Sequence, residues 1–196
     1  LLGANLIDGT GGPVLQDSAV LIDGERIKEV GPRAAVQLPP GTEEIELSGL
    51  YLLPGLIDTH DHLAHKNYSL VSRWEIEDPA SLHHLKTAKA IEESLAAGYT
   101  CIRDAGGLDA GFKIAVDEGL IKGPRLLTSV AIVSPTGGIG DRVAPSGHRN
   151  VFITDPMHPN GVANGPEAIR ALVRELVRVG ADVIKFATTG GASSRS

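Results

Sequence analysis

Two histidines separated by a single residue are the side chains of this sequence best suited to chemistry. His60 and His62 follow an apolar run at 53–57 that is typical of a buried strand. Residues i and i+2 of a strand point to the same face, so the two imidazoles are expected side by side, where they could bind one zinc-like ion. Asp58 shares that face and could accept a ring N–H from a ligating histidine. The spacing predicts a metal site, although an isolated His-x-His pair also occurs in proteins without metal.

A lysine in a second apolar segment extends this set. Val183, Lys185 and Ala187 share one face of a short predicted strand. If that face is buried, the ammonium group of Lys185 is costly unless it is paired or neutralised. Reaction with carbon dioxide would give a carbamate, whose two oxygens could bridge metal ions roughly 3.5–4 Å apart. Alternatively, the side chain stays charged and extends to the end of the strand. The residues by themselves leave both states open.

The elements that must position these side chains follow from periodicity and turn residues. From about residue 51 the pattern predicts strands alternating with helices, which favours βα units around a parallel sheet. The expected strands are 99–104, 125–133 and the Lys185 segment. The first expected helix starts at Asp78-Pro79 and is closed by Gly98, the second spans 108–118, and the third is opened by Asn164-Gly165-Pro166 and ends before Gly180. These elements would place both histidines and the lysine at the carboxyl ends of strands.

Residues 1–50 predict a separate, small β unit. A hairpin is expected at Asp23-Gly24-Glu25, and the alternation at 44–47 predicts a further strand. So few strands are marginally stable alone. We therefore expect this unit to pack on another part of the protein.

Asp104 stands at the end of the predicted strand 99–104, directly before Gly106 and Gly107. Its carboxylate could reach the cavity at the strand ends, or it could cap the loop that follows. The sequence leaves these two roles open.

Three segments around these residues resemble the amidohydrolase superfamily. PGLIDTHDH at 54–62 is similar to its first-strand metal motif, and TCIRDAGG at 100–107 to its second strand. GADVIK at 180–185, followed by TGG at 189–191, is similar to its fourth strand, which carries a carboxylated lysine. SPTGG at 134–138 points to the imidazolonepropionase-related branch. That branch includes dipeptidases that cleave Xaa-Pro or Xaa-Arg/Lys bonds, and N-acyl amino acid hydrolases.

The resemblance implies an α/β fold, a TIM-like (β/α)8 metal-dependent hydrolase barrel with a small N-terminal β-sandwich portion. Residues 1–50 would form the N-terminal part of the sandwich, and 51–196 the first half of the barrel with its first four strands. Because eight strands need about 250 residues, the resemblance implies that the chain is the N-terminal half of an enzyme of roughly twice its length.

The resemblance also implies the roles of the site residues. His60 and His62 would bind one of two divalent metal ions, most suitably zinc, and carboxylated Lys185 would act in catalysis by bridging the pair. In the loop after the third strand, Arg142 or Arg149 is a candidate for binding a substrate carboxylate, and His148 is a candidate to replace a substrate-binding histidine of relatives. The alternative for each is a solvated loop side chain. Ile139 stands where relatives commonly carry a histidine after TGG.

Three functions are consistent with these residues. The leading hypothesis is a hydrolase that cleaves the amide bond of a dipeptide or N-acyl amino acid by attack of a metal-bridged hydroxide. The second is a mononuclear cyclic-amide hydrolase or deaminase on the same fold, with unmodified Lys185. The third is a non-catalytic barrel or assembly subunit, which predicts no tightly bound metal.

The composition excludes several partner classes. The 196 residues are 42% hydrophobic and 21% charged, which is sufficient for a well-buried core. A net charge of −6 gives no basic footprint for nucleic acid, and no apolar run approaches the roughly 18–20 residues of a membrane span. We expect a small-molecule substrate, no nucleic-acid or membrane partner and a cytoplasmic location, although the start at Leu1 leaves an upstream signal peptide open. The resemblance also implies that the protein forms a homo-oligomer.

Overall fold

The structure, a computed structural model, describes residues 1–64, 79–141 and 159–190. It contains two compact units, Leu1–Gly55 and Leu56–Ser196. The sequence analysis placed the boundary after residue 50, whereas the structure places it after Gly55. The reason is that Tyr51 and Leu52 pair with the first strand of the N-terminal unit and so belong to its sheet.

The N-terminal unit is built on one four-stranded sheet in the order β3-β2-β1-β4. Its strands are β1 (Leu2–Leu6), β2 (Leu15–Asp23), β3 (Arg26–Pro32) and β4 (Tyr51–Leu52). β2 pairs antiparallel with β1 and β3, whereas β4 runs parallel to β1. The predicted hairpin turns at Gly24, whose φ of 59° suits glycine. The predicted strand at 44–47 contributes only an isolated bridge between Glu46 and Leu2. The second sheet of the expected sandwich stays a prediction.

The second unit alternates strands and helices and pairs its strands in parallel, as the periodicity predicts. A three-stranded sheet has the order β5-β6-β7, and a two-stranded sheet pairs β8 with β9. The strands are β5 (Leu56–Asp61), β6 (Tyr99–Asp104), β7 (Arg125–Thr128), β8 (Ile132–Val133) and β9 (Lys185–Phe186). The helices are α1 (Ala80–Ala96), α2 (Ala110–Asp117) and α3 (Pro166–Arg178).

The third predicted strand of this unit, 125–133, is in fact two strands. Val130 is fully buried and has a φ of +62°, a left-handed conformation that a β-branched residue rarely adopts. The ladder to β6 therefore ends at Thr128. After the break, Ile132 pairs with Lys185 of β9 instead. A single strained residue thus redirects the chain from one sheet to the other.

Two apolar clusters hold the strands and helices of the second unit together. The first contains Leu63, Ile91, Ile102, Leu108 and Leu126, and the second contains Val130, Ala131, Val133, Ala163, Leu172, Leu176 and Val179. Helix α1 contributes less than its apolar repeat predicts, since Leu85 is 69% exposed and Ile91 is the apolar side chain that the helix buries fully. In the described part of the chain, no helix has the length and apolar character needed to cross a membrane.

Candidate metal centre

The two histidines lie at the carboxyl end of β5, with their rings close together. The ring centres of His60 and His62 are 5.4 Å apart, and the ring planes make an angle of 64°. Two imidazoles bound to one tetrahedral ion at about 2.1 Å place their ring centres about 5 Å apart. The observed separation therefore fits two ligands of a single ion.

Two carboxylates hold the backbone that carries these rings. The His60 N–H donates to Asp58 Oδ1 at 2.9 Å, and the His62 N–H donates to Asp61 Oδ1 at 2.7 Å. Asp58 therefore supports the peptide of the histidine pair. Its predicted role as an acceptor for a ring N–H stays a prediction.

The ring of His62 meets a backbone carbonyl. Its Nδ1 lies 2.8 Å from the carbonyl oxygen of Gly106, in the loop after β6. Because a carbonyl oxygen can only accept, this contact requires the proton on Nδ1. A neutral His62 then has its lone pair on Nε2, which is the form that binds a metal. The sequence analysis missed this partner, since a backbone carbonyl has no residue type that would identify it.

Lys185 and His60 line the same cavity. It has a volume of about 290 Å³ and is lined by Thr59, His60, Arg103, Ala105, Val183, Ile184, Lys185 and Phe186. His62 and Asp58 line a neighbouring cavity of about 400 Å³ beside α1. The structure thus brings His60 and His62 together at their rings, and brings His60 and Lys185 together across one cavity.

The cavity shared by His60 and Lys185 has a basic lining. Partial burial lowers the pKa of His60, and the charges of Lys185, His62 and Arg103 lower it further, whereas Asp58 opposes them. A lowered pKa keeps the imidazole neutral, which is the ligand form. The lining residues include three basic side chains and no carboxylate, an arrangement that suits an anionic group.

Arg103 is a member of this cavity that sequence reasoning did not select. Its Nε donates to the carbonyl oxygen of Thr59 at 2.6 Å, one residue before His60. Its position on β6, one residue before Asp104, was the available signal. An alternating strand pattern places residue 103 on the face opposite to the buried Ile102 and Asp104.

The donor set that the described chain offers to a metal is small. Within residues 1–64, 79–141 and 159–190, no three side chains of His, Cys, Asp or Glu are grouped so that they could hold an ion. His60, His62 and Lys185, which the sequence selected, stay the candidates, and two imidazoles with a modifiable amine suit zinc or its neighbours. Arg142, His148 and Arg149, the predicted substrate-binding residues, lie outside the described residues.

Comparison with known proteins gives consistent matches. The ochratoxinase of Aspergillus niger is 32% identical over 206 aligned residues, which cover 97% of this chain and 42% of that protein. A crystal structure of a prolidase complexed with N-methylphosphonate-L-proline is 35% identical, with a TM-score of 0.85 over 98% of this chain and 47% of that chain. The imidazolonepropionase of Arthrobacter sp. (strain FB24) is 48% identical over 50 residues, 26% of this chain and 12% of that protein.

The extent of these matches shows the family. The chain spans less than half the length of the relatives named above. The model of the amidohydrolase family matches residues 51–195, which is more than half of the chain. Residues 54–62, 100–107 and 180–185, the three segments that carry the sequence resemblance, all fall inside the matched range. The chain therefore belongs to the amidohydrolase family.

Proposed function

We propose that this chain is part of a metal-dependent hydrolase that cleaves the amide bond of a dipeptide or an N-acyl amino acid. The observation that carries the proposal is the 5.4 Å separation of the His60 and His62 rings, together with the cavity that His60 shares with Lys185. The similarity to a prolidase bound to a proline analogue supports an amino acid or peptide substrate.

Each described residue has a distinct part in this proposal. His60 and His62 would hold a divalent ion through ring nitrogens, and Lys185, as a carbamate, would supply a further ligand. A bound divalent ion supplies a nucleophile at neutral pH and polarises the amide carbonyl. The guanidinium of Arg103 in the lining favours an anionic group in the cavity, either that carbamate or a substrate carboxylate.

The family uses divalent metal ions, and the proposal adds their number and the modification of Lys185. Elemental analysis of the intact protein is the direct test. We expect about two equivalents of metal per chain, and about one in the Lys185→Ala variant, because the carbamate would bridge the pair. Lys89→Ala is the matched control, since this lysine is exposed on α1 and pairs with Glu93 at 3.7 Å.

Activity assays then address the substrate. We expect hydrolysis of Xaa-Pro or Xaa-Arg/Lys dipeptides or of N-acyl amino acids, and its loss in His60→Ala, His62→Ala and Lys185→Ala. An intact protein that binds no metal would exclude this function. That result would favour the non-catalytic subunit.

A second candidate is a mononuclear hydrolase of a cyclic amide, or a deaminase. The local 48% identity to an imidazolonepropionase is the observation that favours it. In this case, we expect one equivalent of metal in the intact protein, unchanged by Lys185→Ala, with activity on ring substrates and none on dipeptides. Metal stoichiometry therefore separates the two candidates before any substrate is found.

A further inference from the structure

Asp104 is a fully buried carboxylate with an unusual set of partners. It is 0% exposed at the end of β6. Its Oδ2 accepts the N–H of Leu63 at 2.8 Å, and its Oδ1 accepts the N–H groups of Gly106 at 2.9 Å and Leu108 at 3.2 Å. Burial raises the pKa of this carboxyl, whereas the three N–H groups and the charge of His62 lower it. Of the two roles left open by the sequence, the loop-capping role is the observed one.

These partners flank His62 on two sides. Leu63 is the residue that directly follows His62, and its side chain is buried in the cluster with Ile102. Gly106 carries the carbonyl oxygen that lies 2.8 Å from His62 Nδ1. One carboxylate therefore accepts the N–H of the residue after the histidine and the N–H of the residue whose carbonyl contacts its ring.

A simple loop cap does not require this second connection. Asp109, for comparison, caps α2 by accepting the Gly111 N–H at 2.7 Å, on an exposed part of the chain. Asp104 instead joins two segments that are 41 residues apart in sequence at the Leu63 contact. The Leu63 N–H belongs to the peptide that follows His62, and the segment after β6 supplies the Gly106 carbonyl that contacts the His62 ring.

We propose that Asp104 is a positioning residue for His62. By accepting the N–H of Leu63 and the N–H of Gly106, it fixes both residues that adjoin the ring, sets the direction of the His62 ring and keeps the proton on Nδ1, so that the lone pair lies on Nε2, the nitrogen that would bind metal. The part of this inference that concerns metal rests on the proposed function. The part that concerns the ring does not, because it can be measured in metal-free protein.

The first measurement uses the unchanged, metal-free intact protein. Two-bond ¹H–¹⁵N correlation spectra of ¹⁵N-histidine-labelled protein distinguish the two neutral tautomers, and the His62 signals are identified by their loss in His62→Gln. We expect His62 to be the Nδ1–H tautomer. An Nε2–H tautomer, or an equal mixture of the two, would overturn the proposal without any variant of Asp104.

The second measurement is zinc affinity, determined by competition with a chromogenic chelator. Asp104→Asn keeps the size of the side chain but replaces one acceptor oxygen with an NH₂ group that cannot accept. We expect it to weaken zinc binding by about 10- to 100-fold, the usual range for residues that orient a metal ligand. The same variant should lose the single tautomer of His62.

Two controls separate positioning from folding. Asp109→Asn makes the same chemical change at a cap away from His62 and should leave zinc affinity and tautomer unchanged. Leu126→Ala weakens the core that contains Leu63 without removing an acceptor, and should lower stability while zinc affinity stays within about twofold. Equal zinc affinity in Asp104→Asn and the unchanged protein would overturn the proposal. If the unchanged protein binds no zinc, the proposed function fails, and the tautomer still decides the role of Asp104.

Discussion

β5 and β9 each carry a candidate site residue, and the two strands are held in different ways. Asp104, which accepts the N–H of the residue after His62, is fully buried, and its partners among the described residues are backbone N–H groups. Asp182, three positions before Lys185, is 22% exposed and divides its carboxylate between two kinds of donor. Its Oδ2 accepts the Thr128 N–H at 3.0 Å, and its Oδ1 pairs with Lys113 Nζ at 2.5 Å.

Backbone contacts repeat this difference. The Asp182 N–H donates to the Thr128 carbonyl at 2.8 Å, so residue 182 hydrogen-bonds both backbone groups of the last residue of β7. β9 itself has only two residues, with Lys185 opposite Ile132. The segment before Lys185 is therefore fixed by partly exposed side chains, Asp182 and Lys113. The segment at His62 is fixed by the fully buried carboxylate of Asp104. We expect changes at the histidine end to cost more stability and to be less sensitive to salt.

The largest effect is expected from Asp104→Ala. The change leaves three buried N–H groups without their acceptor and relieves the desolvation of one carboxylate. We expect a net loss of about 2–4 kcal/mol in the free energy of unfolding. Denaturant unfolding measures it. A loss below about 1 kcal/mol would mean that water or a rearranged loop replaces the carboxylate.

A smaller effect is expected from Gly106→Ala, which probes the point where the two regions meet. A Cβ at Gly106 would lie 2.7 Å from Cγ1 of Ile132, the residue that pairs with Lys185, and the φ of Gly106 is +134°. We expect a loss of about 1–3 kcal/mol. Ile132→Ala removes the clashing atoms, so the double variant should lose less than the sum of the single changes. Strict additivity would show that the backbone angle alone is responsible.

Asp182→Ala tests the lysine end in the same way. It removes an acceptor from the Thr128 N–H and from Lys113, both near the surface, so water can replace it in part. We expect a loss of about 1–2 kcal/mol, less than for Asp104→Ala. Parallel denaturant titrations give the comparison. An equal or larger loss would reverse the ranking of the two regions.

The smallest effect is expected from Lys113→Met, which removes only the cation of the pair with Asp182. Its side chain is 31% exposed, so solvent and salt screen the interaction. We expect a loss below about 1 kcal/mol that falls further between about 0.05 and 0.5 M salt, because salt screens the interaction of exposed charges. Asp104→Asn is the comparison, and its effect should change little over the same range.

Much of the second unit could be predicted from periodicity. The alternation of strands and helices, the parallel pairing and the helix that ends before Gly180 agree with the structure, since each depends on local spacing. The break at Val130 could not be predicted, because a β-branched residue favours an extended backbone and no glycine or proline marks the break. The exposure of Leu85 is a similar case, since periodicity identifies the apolar face of a helix but not whether other residues pack against it.

By itself, the sequence determined which residues could do chemistry and which family the chain resembles. Residue types at fixed spacing are a local property, and His60, His62 and Lys185 were identified on that basis. Tertiary structure alone decided how these residues are held: the Gly106 carbonyl at the His62 ring, Asp104 between Leu63 and Gly106, and the cavity shared by His60 and Lys185. These contacts join segments more than 40 residues apart through backbone groups that every residue carries. For that reason, the pattern of side chains could not predict them.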